Sequence, residues 1–528
     1  MHKTNSAVLI PILQEGYKIL DGIEKVLNKN IEACLLLKKF VSGSFGPQGL
    51  NKLIKQKIGK ILITSDTTTI LNNFEYTHPV PKLIASSAIS QEKDLGDSVG
   101  FIILFTIELL LKSHELLKQG FCLSIIVDSF FDFVGISLKV LEVLAEYKIA
   151  NIFKIKSVAS LLSLFVDFKY PGLECYLAPQ IAYACIKIFS SGIKNFSSEH
   201  IRVVKILGGN FDQTKTIAGT VVIQDTEGLV KSVKKARIVI FACDFAVFSP
   251  EVRCSLVFKT AKEILCYNKK ESRDIEEKIQ HMAKCGINVI ISTGFNDIVL
   301  FYMNKYNIMA IKINSKFDIR RIAKTCGATI FSKNKIPESP EIGKCDSVSV
   351  KLFGSQKIII FQKEISYSKI FTIIVRGNST ILLDNIEKTI YKTTLIFKSL
   401  TRDSRLLPGG GACEIELYRK IASFGIKNYS GYKQYLIQRY AECFEVIPVT
   451  LITNSGQLVD KILSKLHYLH AHGNRFSGVG KSSSHIIDTK KTGIWDLFTS
   501  KYWAIKYSSD IAITILLISQ IIIARKNN

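Results

Sequence analysis

The chain lacks any Cys-x-x-Cys pair, and its 12 cysteines show no spacing typical of metal ligands. They are scattered singly, and most stand among apolar residues, as Cys34, Cys185 and Cys443 do. Isolated cysteines in such surroundings are typical of reduced core thiols rather than of a disulfide framework. The pattern therefore favours a cytoplasmic protein.

The sequence also lacks an apolar run long enough to cross a bilayer, which takes about 20 residues. The run from Phe101 to Leu111 is interrupted by Glu108, and the stretch "IAITILLISQIIIA" contains Gln520. The first residues, "MHKTNSAVLIPILQEG", show neither the long apolar core nor the cleavage site of a secretory signal. We therefore expect no membrane partner.

Acidic residues are scarce relative to basic ones, with 45 Asp and Glu against 70 Lys and Arg and a formal net charge of +25. Such a charge invites the hypothesis of nucleic-acid binding. The lysines, however, are spread along the whole chain, without an arginine-rich arm or interleaved aromatic and basic residues. Charge alone argues for solubility and association rather than for a function, so we predict no nucleic-acid partner.

The domain organisation follows from length and periodicity. A chain of 528 residues is too long for one compact core, so several domains are expected. Residues 1–142 and 402–528 are mainly helical in pattern, whereas residues 213–362 alternate short β-branched runs with helical ones. Neither end alone contains other elements that would cover its helices, which are apolar all round. We therefore expect both ends to pack together as one discontinuous domain.

Local signals predict individual elements in the N-terminal part. Apolar spacing in "NIEACLLLKKFVSGSFG" predicts a helix that stops at Gly43 and Gly46. The stretch "LIKQKIGKILIT" predicts two short strands with Gly59 in the turn between them. Residues 100–119 and 125–147 are apolar nearly all round, which predicts buried helices.

The middle of the chain is predicted to be an α/β module. Strands are expected in "TIAGTVVIQ", "ARIVIFAC", "GINVIIST", "NIMAIKI" and "GATIF". A long charged helical stretch, "FKTAKEILCYNKKESRDIEEKIQHMAKCG", is predicted to end at Gly286. A second helix is predicted from a capping-box-like Ser315 and Asp318 to Gly327.

Four short stretches in the helical ends carry glycines or carboxylates: "SFGPQGLNK", "ITSDTTTIL", "DLGDSVGF" and "LLPGGGACEIEL". Each alone is typical of ordinary turns and helix caps, and neither glycine-rich stretch is a Walker motif or a dinucleotide fingerprint. Glycine amides at a helix N-terminus nevertheless form an anion site, and a nearby carboxylate suits phosphate-bound magnesium. Together they predict a composite nucleotide pocket that could also hold Mg2+.

These four stretches, in this order, resemble the nucleotide pocket of group II chaperonins. The similarity covers essentially the whole chain and includes "RGNSTILLDNIEK", "LTRDSRLLPGGGACEIEL" and "SKYWAIKYSSDIAITILLISQIIIA". The resemblance implies an α+β multidomain fold. It comprises an equatorial domain (1–142 and 402–528), an intermediate hinge domain (143–212 and 363–401) and an α/β apical domain with a helical protrusion (213–362).

The resemblance also implies a function and its residues. Members form hetero-oligomeric double rings with other chaperonin subunits, in which ATP binding and hydrolysis close a lid over unfolded client proteins. The hairpin around Gly59 would add strands to a neighbouring subunit. Asp66 would polarise a water molecule, and Asp97 would hold the magnesium ion. The resemblance also implies the residues that bind ATP or ADP. They are Phe45, Gly46, Pro47, Asp97, Ser98, Val99, Gly100, Phe101, Gly410, Gly411, Asp496 and Lys501.

The sequence departs from the family pattern at residues that bear on hydrolysis. The family's Gly-Thr after the loop aspartate is replaced by Ser98 and Val99, which removes backbone freedom and a hydroxyl. The family's catalytic aspartate falls on Lys392, and Glu387 is the one carboxylate residue between Asn385 and Asp403. An ammonium cannot accept a proton. We therefore predict a nucleotide site that binds weakly or does not turn over, although Lys392 as a solvated helix lysine is the alternative.

Client contact, by resemblance, belongs to the apical module. In the helix "SKFDIRRIAKTCG" a basic face is formed by Lys316, Arg320, Arg321 and Lys324, while Ile319 and Ile322 are predicted to point inward. Facing a cavity, such a cluster could attract acidic clients, and salt should weaken the attraction. The alternative is an ordinary solvated face, because runs of charged residues usually lie on the solvated surface of a helix.

Three classes of function remain open from the sequence. The first is a fully active ATPase subunit of a folding machine, and the second is a ring subunit with a dead or slow site. The third is a stand-alone nucleotide-dependent enzyme. That third class needs a nucleophile or general base in the α/β segment, where the sequence offers no Ser/His/Asp or Cys/His arrangement.

Overall fold

A computed structural model gives the structure of the chain. The residues that it describes are 18–20, 22–56, 59, 61–145, 147–149, 151–167, 172–190, 196–245, 261–333, 337–354, 356–364, 368–480 and 486–523. They fall into two compact units. The first unit comprises Met1–Ala150 and Lys398–Asn528, and the second is Asn151–Phe397. The division into equatorial, intermediate and apical domains at the residues given above stays a prediction.

The described helices occur partly in unbroken runs, such as α2 to α5 and α12 to α15, and partly between strands. The α-helices are α1 (Ile23–Ser42), α2 (Thr67–Asn72), α3 (Pro79–Leu95), α4 (Val99–Lys118), α5 (Leu123–Leu144), α6 (Ile155–Asp167), α7 (Glu174–Ser190), α8 (Ala261–Lys284), α9 (Asp297–Lys305), α10 (Lys316–Cys326), α11 (Thr380–Arg402), α12 (Ala412–Asn428), α13 (Tyr432–Glu442), α14 (Val446–Asn454), α15 (Val459–Ala471), α16 (Thr489–Thr492) and α17 (Phe498–Leu516).

The described strands are mostly short. They are β1 (Lys18–Leu20), β2 (Lys52–Lys55), β3 (Ile61–Thr64), β4 (Tyr147–Lys148), β5 (Ile201–Leu207), β6 (Lys215–Val222), β7 (Ser232–Phe241), β8 (Val289–Ser292), β9 (Met309–Lys312), β10 (Ile330–Phe331), β11 (Gly343–Phe353), β12 (Gln356–Gln362), β13 (Phe371–Gly377), β14 (Arg405–Pro408), β15 (Ser477–Val479), β16 (Ile486–Asp488), β17 (Trp495–Leu497) and β18 (Ile521–Ile523).

The first unit is built around helix α4. The five residues from Phe101 to Phe105 are all buried, because a helix that is apolar all round has to be enclosed by other helices. Helices α1, α3, α5 and α17 surround it. The two ends of the chain are joined directly here, since Gln91 of α3 donates a hydrogen bond to the carbonyl of Ser500 in α17 (3.0 Å). The two ends therefore share one core.

The aromatic residues of this core meet at Tyr440, which is fully buried. Its ring centroid lies 5.4 Å from that of Phe130 and 5.8 Å from that of Phe444. Phe130 comes from the N-terminal part of the chain and Tyr440 from the C-terminal part. Since burying one such side chain stabilises a fold by roughly 1.5–3 kcal/mol, this cluster holds the two parts together.

Small sheets border the first unit. Strands β2 and β3 form an antiparallel hairpin, with Gly59 of the turn at φ +79°, so the predicted strand–turn–strand is confirmed. Strand β1 pairs with β18, three strands in the order β17-β14-β4 form another sheet, and β15 pairs with β16. The C-terminal part, predicted to be mainly helical, also contains the short strands β14 to β17 between its helices and β18 after the last one.

The described residues of the second unit form one mixed sheet of nine strands. Its order is β5-β13-β6-β12-β11-β7-β8-β9, and β10 lies beside β7. Strands β7, β8 and β9 run parallel, whereas β11 pairs antiparallel with both β7 and β12. The five predicted strands are present as β6 to β10. The sheet as a whole makes the second unit α/β in character, and the protein as a whole α+β.

Helix α10 of the second unit begins and ends as predicted. The Ser315 hydroxyl accepts a hydrogen bond from the Asp318 amide, and Gly327 closes the helix at φ +73°. Helix α8 is also present, although residues 258–260 of the predicted helical stretch lie outside the described residues. Among the described helices, none combines the length and the hydropathy that crossing a membrane requires.

Candidate functional site

The first glycine loop follows helix α1. Gly46 has φ +86°, and a Cβ at this position would lie 2.6 Å from Cδ2 of Leu451 in α14. Asn454, also in α14, donates hydrogen bonds from Nδ2 to the carbonyls of Phe45 (2.6 Å) and Ser42 (2.7 Å). The loop therefore lies against a helix from the other end of the chain. The exposed Pro47 completes it.

Asp66 is the N-cap of helix α2. Its Oδ2 accepts hydrogen bonds from the backbone amide of Thr69 (3.2 Å) and from the Thr69 hydroxyl (2.7 Å). The residue is buried, with 7% of its surface exposed. The first of these bonds satisfies an amide that the first turn of a helix would otherwise leave without a partner. The role of Asp66 in polarising a water molecule stays a prediction.

The loop "DLGDSVG" joins α3 to α4. Gly96 ends α3 at φ +82°, Asp97 is half-buried, and α4 begins at Val99. Gly100 leaves room for the first loop, because a Cβ there would lie 2.6 Å from Cδ2 of Phe45. The two predicted nucleotide loops are therefore in contact.

Ser98 has φ +71°, a left-handed conformation that L-residues other than glycine rarely adopt. This conformation costs on the order of 1 kcal/mol. We expect Ser98→Gly to raise the free energy of unfolding by up to about 1 kcal/mol, as measured by urea denaturation. The control Ser90→Gly, inside helix α3, should lower it by about 0.5–1 kcal/mol. Equal losses in both variants would contradict strain at Ser98.

The second glycine loop connects β14 to α12. The Gly409 amide donates to the carbonyl of Ile494 (3.2 Å), and the Gly410 carbonyl accepts from the amide of Val479 (2.8 Å). Gly411 stands at φ +81° immediately before α12, and a Cβ there would lie 3.7 Å from Cδ1 of Leu451. Since Gly46 also approaches Leu451, this one side chain separates two glycine loops that are far apart in sequence.

Charged side chains meet beside the second loop. The ammonium of Lys501 forms ion pairs with Asp496 (Nζ to Oδ2, 3.3 Å) and with Oε1 of Glu414. It also lies 4.8 Å from the ring centroid of Phe101. Burial alone would lower the pKa of Lys501, but the two carboxylates outweigh burial and raise it. Lys501 is therefore a permanent cation held between two carboxylates.

Glu414 is the residue of this cluster that the sequence analysis did not single out. It is 1% exposed, and its Oε2 has no hydrogen-bond partner among the described residues. The signal was present, since the first turn of α12 directly after the glycines is acidic. Whether Glu414 or Glu416 of α12 would meet Lys501 depends on how α12 and α17 are placed in the core, and the sequence does not give it.

Most of the predicted nucleotide residues are thus connected within the first unit. Phe45 touches Gly100, Gly46 and Gly411 share Leu451, and Phe101 lies under Lys501. Lys392 belongs to the second unit, where it lies half-buried on helix α11. Its place opposite a nucleotide stays a prediction.

The predicted client-contact residues lie on helix α10. Ile319 and Ile322 are buried, so the inward face is as predicted, and Lys316 and Arg320 are exposed. The two remaining residues have partners within the chain, since Arg321 Nη1 donates to Oδ1 of Asp318 (3.1 Å) and Lys324 Nζ lies 3.1 Å from Nε2 of His200.

Phe317 was missed on this helix. It is 70% exposed, next to Lys316 and one turn before Arg320 and Arg321. An exposed aromatic ring beside cations makes the face amphipathic rather than purely basic. The signal was available in the sequence, because Phe317 does not fit the apolar spacing of Ile319 and Ile322.

Comparison with known proteins identifies the family. Residues 37–526 match the family model of the TCP-1/cpn60 chaperonin family, so the chain belongs to that family. The predicted membership in the group II chaperonins, and with it the α+β multidomain architecture, is therefore confirmed.

Individual relatives narrow the resemblance to one subunit. The chain is 36% identical to T-complex protein 1 subunit theta of Mus musculus over 529 residues, which is 99% of this chain and 96% of the relative. It is 33% identical to the theta subunit of Arabidopsis thaliana over 517 residues, which is 97% of this chain and 94% of the relative. The chain is thus a chaperonin subunit similar to the theta type.

Proposed function

We propose that this chain is one subunit of a hetero-oligomeric double-ring chaperonin of the cytoplasm, which binds unfolded proteins and assists their folding in an ATP-dependent cycle. The observation that carries the proposal is that the two glycine loops both lie against the side chain of Leu451, next to the loop of Asp97. Segments from both ends of this chain form the arrangement, and the chain belongs to the TCP-1/cpn60 chaperonin family. Other chaperonin subunits and unfolded proteins are the partners that it implies.

The residues present fit a magnesium-bound nucleotide. Gly410 and Gly411 lead into α12, a helix of 17 residues whose N-terminus favours anions. Asp97 offers the carboxylate oxygen that Mg2+ prefers and would hold it. When bound, the ion would offset the charge of the phosphates. Lys501 would not act as a free phosphate-binding cation, because it fixes Asp496 and Glu414 in place.

The same loops support a site with slow turnover. Val99 presents an apolar, buried side chain where the family has a hydroxyl, and Ser98 holds a strained backbone conformation. Lys392 offers no carboxylate to orient an attacking water molecule. We infer that this subunit retains nucleotide without hydrolysing it at the rate of its partners. A fully active site is the alternative.

The hairpin β2–β3 supports contact with a neighbouring subunit. It exposes Leu53 (67%), Ile61 (48%) and Ile63 (40%), and Leu50 just before it is 77% exposed. An apolar patch on a two-stranded hairpin suits burial against another sheet. This supports the proposed addition of its strands to the next subunit in a ring.

Helix α10 supports client binding. Phe317 offers an apolar ring, and Lys316 and Arg320 offer exposed cations on neighbouring turns. Such a face fits segments in which acidic residues alternate with apolar ones, which are exposed in unfolded proteins but buried in folded ones. We therefore propose acidic unfolded segments as the clients of this face.

Nucleotide binding by the full-length chain tests the proposal. Titration with ATP and Mg2+ should show saturable binding that Asp97→Asn weakens by at least about tenfold, because a carboxylate ligand of the ion is lost. Asp94→Asn, at an exposed residue of the same segment, is the matched control and should bind like the unmodified chain. Unmodified chain that neither binds ATP nor enters a ring-sized particle with other subunits would refute the proposal.

The client face gives a second prediction. Arg320→Glu should weaken the capture of an acidic unfolded protein by roughly tenfold at low salt, and the difference should shrink as salt rises. Capture is measured as a dissociation constant with the chain assembled in its ring. Lys344→Glu, an equal charge change at an exposed position of β11, should leave capture unchanged. Equal effects of both variants would show that net charge, rather than this face, attracts the client.

A further inference from the structure

A buried charged cluster lies behind the second glycine loop. Glu416 of α12 is 0% exposed, and Arg419, one turn later, donates to both of its oxygens (Nη2 to Oε1, 2.6 Å; Nε to Oε2, 3.2 Å). His470 of α15, also 0% exposed, places Nδ1 3.1 Å from Oε2 of Glu416. Its other ring nitrogen, Nε2, lies 2.8 Å from the carbonyl oxygen of Ser477 in β15.

The geometry fixes the protons of this cluster. Both ring nitrogens of His470 face oxygen atoms, one of a carbonyl and one of a carboxylate. A neutral imidazole has one donor and would set a lone pair against one of these acceptors. Burial would raise the pKa of Glu416, but the hydrogen bonds from His470 and Arg419 outweigh it and lower the pKa to about 2. Glu416 is therefore ionised, and a proton on each ring nitrogen of His470 is the arrangement that gives both facing oxygen atoms a donor.

Strand β15 connects this cluster to the glycine loop. Next to Ser477, Gly478 passes so close to the loop that a Cβ would lie 3.0 Å from the carbonyl oxygen of Gly410. Val479 then donates its amide to that same carbonyl (2.8 Å). The bond between His470 and Ser477 therefore holds the strand that in turn fixes Gly410. None of these contacts depends on a residue predicted to touch the nucleotide, other than Gly410 itself.

We propose that His470, as an imidazolium held by Glu416, is a positioning residue that fixes strand β15 against Gly410 and so keeps the second glycine loop in its nucleotide-binding conformation. The predicted effect on ATP binding rests on the proposed function. The effect on the position of the loop does not depend on it, since that effect follows from hydrogen bonds within the chain.

The state of the ring can be observed directly. In full-length chain labelled at histidine, the ring 15N signals of His470 are assigned by their loss in the His470→Gln variant. We expect the His470 signals to be those of a ring with a proton on each nitrogen. A neutral ring would overturn the proposal.

Hydrogen exchange measures how firmly strand β15 is held against the second glycine loop, because the Val479 amide donates to the Gly410 carbonyl. In His470→Gln, amides of residues 477–480 should exchange faster by about tenfold, the size expected for losing a charge-assisted hydrogen bond. Glu416→Gln keeps the shape of the side chain and removes its charge, so it should show the same local change if the first variant folds poorly. His472→Gln, at an exposed position just beyond the end of α15, is the control and should exchange normally. Faster exchange spread evenly over the first unit would indicate a merely structural role and overturn the proposal.

Nucleotide affinity separates this proposal from the proposed function. We expect the dissociation constant for ATP with Mg2+ to rise about tenfold in His470→Gln and Glu416→Gln and to stay unchanged in His472→Gln. If the unmodified chain binds no ATP, the proposed function fails, while exchange and ring protonation still decide whether His470 fixes the loop. If the chain binds ATP and both variants bind it equally well, the positioning role fails alone.

Discussion

Replacement of Lys392 by aspartate is expected to raise the ATP turnover of this subunit by about 100-fold or more. A correctly placed carboxylate orients and activates the attacking water, and such general-base assistance is worth roughly 10²–10⁴ in rate. The lysine provides none of it, because an ammonium donates hydrogen bonds and accepts no proton. The gain should appear in the rate of hydrolysis, whereas the affinity for ATP should change little.

The measurement needs rings in which the other subunits are silent. Single-turnover hydrolysis is followed in assembled rings whose partner subunits carry inactivated sites, with unmodified chain or with Lys392→Asp. Lys388→Asp makes the same change of charge one turn earlier on helix α11, at an exposed position, and should not restore hydrolysis. Val99→Thr, which restores the hydroxyl in nearly the same volume, should add to the gain of Lys392→Asp.

Rapid hydrolysis by the unmodified chain would contradict the proposed slow site and favour a fully active subunit. Equal turnover before and after Lys392→Asp would show that the missing aspartate is not what limits the reaction. Both results would leave the membership in the chaperonin family untouched, because that rests on the whole chain and not on this residue.

Lys501→Met is expected to lower the free energy of unfolding by about 3–5 kcal/mol, which is the usual cost of removing one partner from a buried ion pair. The lysine side chain is 11% exposed and Glu414 is 1% exposed. Without the lysine, Glu414 remains as a charge in an apolar core, with one oxygen that already lacks a partner among the described residues. The loss is therefore larger than the pairing energy itself.

A double-mutant cycle tests this explanation by urea denaturation of the full-length chain. Lys501→Met combined with Glu414→Gln should recover a large part of the loss, since the unpaired charge is gone. Lys506→Met, on the same helix α17 with its ammonium 5.1 Å from the ring centroid of Trp503, is the control and should cost less than about 1 kcal/mol. If the double variant is less stable than Lys501→Met alone, the charge of Glu414 is not the cause.

Several elements could be predicted from short stretches of sequence. Gly43 and Gly327 follow the helices they were expected to end, and Gly59 lies in the turn between β2 and β3. The apolar spacing correctly predicted that Ile319 and Ile322 point inward on α10. These features depend on backbone conformation and side-chain periodicity within a few residues, which the local sequence specifies.

Other strands were missed because hydrogen bonds to neighbouring strands, rather than their own sequence, stabilise them. Strand β11 contains the polar stretch "CDSVSV", yet it pairs on one side with β7 and on the other with β12. Its alternation of polar and apolar residues is weak evidence for a central strand. Hydrogen bonding along both edges supplies the stabilisation that the local sequence lacks.

The candidate site shows the same division. The sequence by itself determined the glycines and the Asp97 loop, and it led to the prediction that Lys392 replaces a catalytic aspartate, because loop chemistry and motif spacing are properties of neighbouring residues. Only the tertiary structure decided that Glu414 meets Lys501 and that Glu416 meets His470, which is 54 residues away in the sequence. The reason is physical: buried charges are tolerated only where packed helices bring their partners within hydrogen-bonding distance, and the packing of helices depends on the whole core.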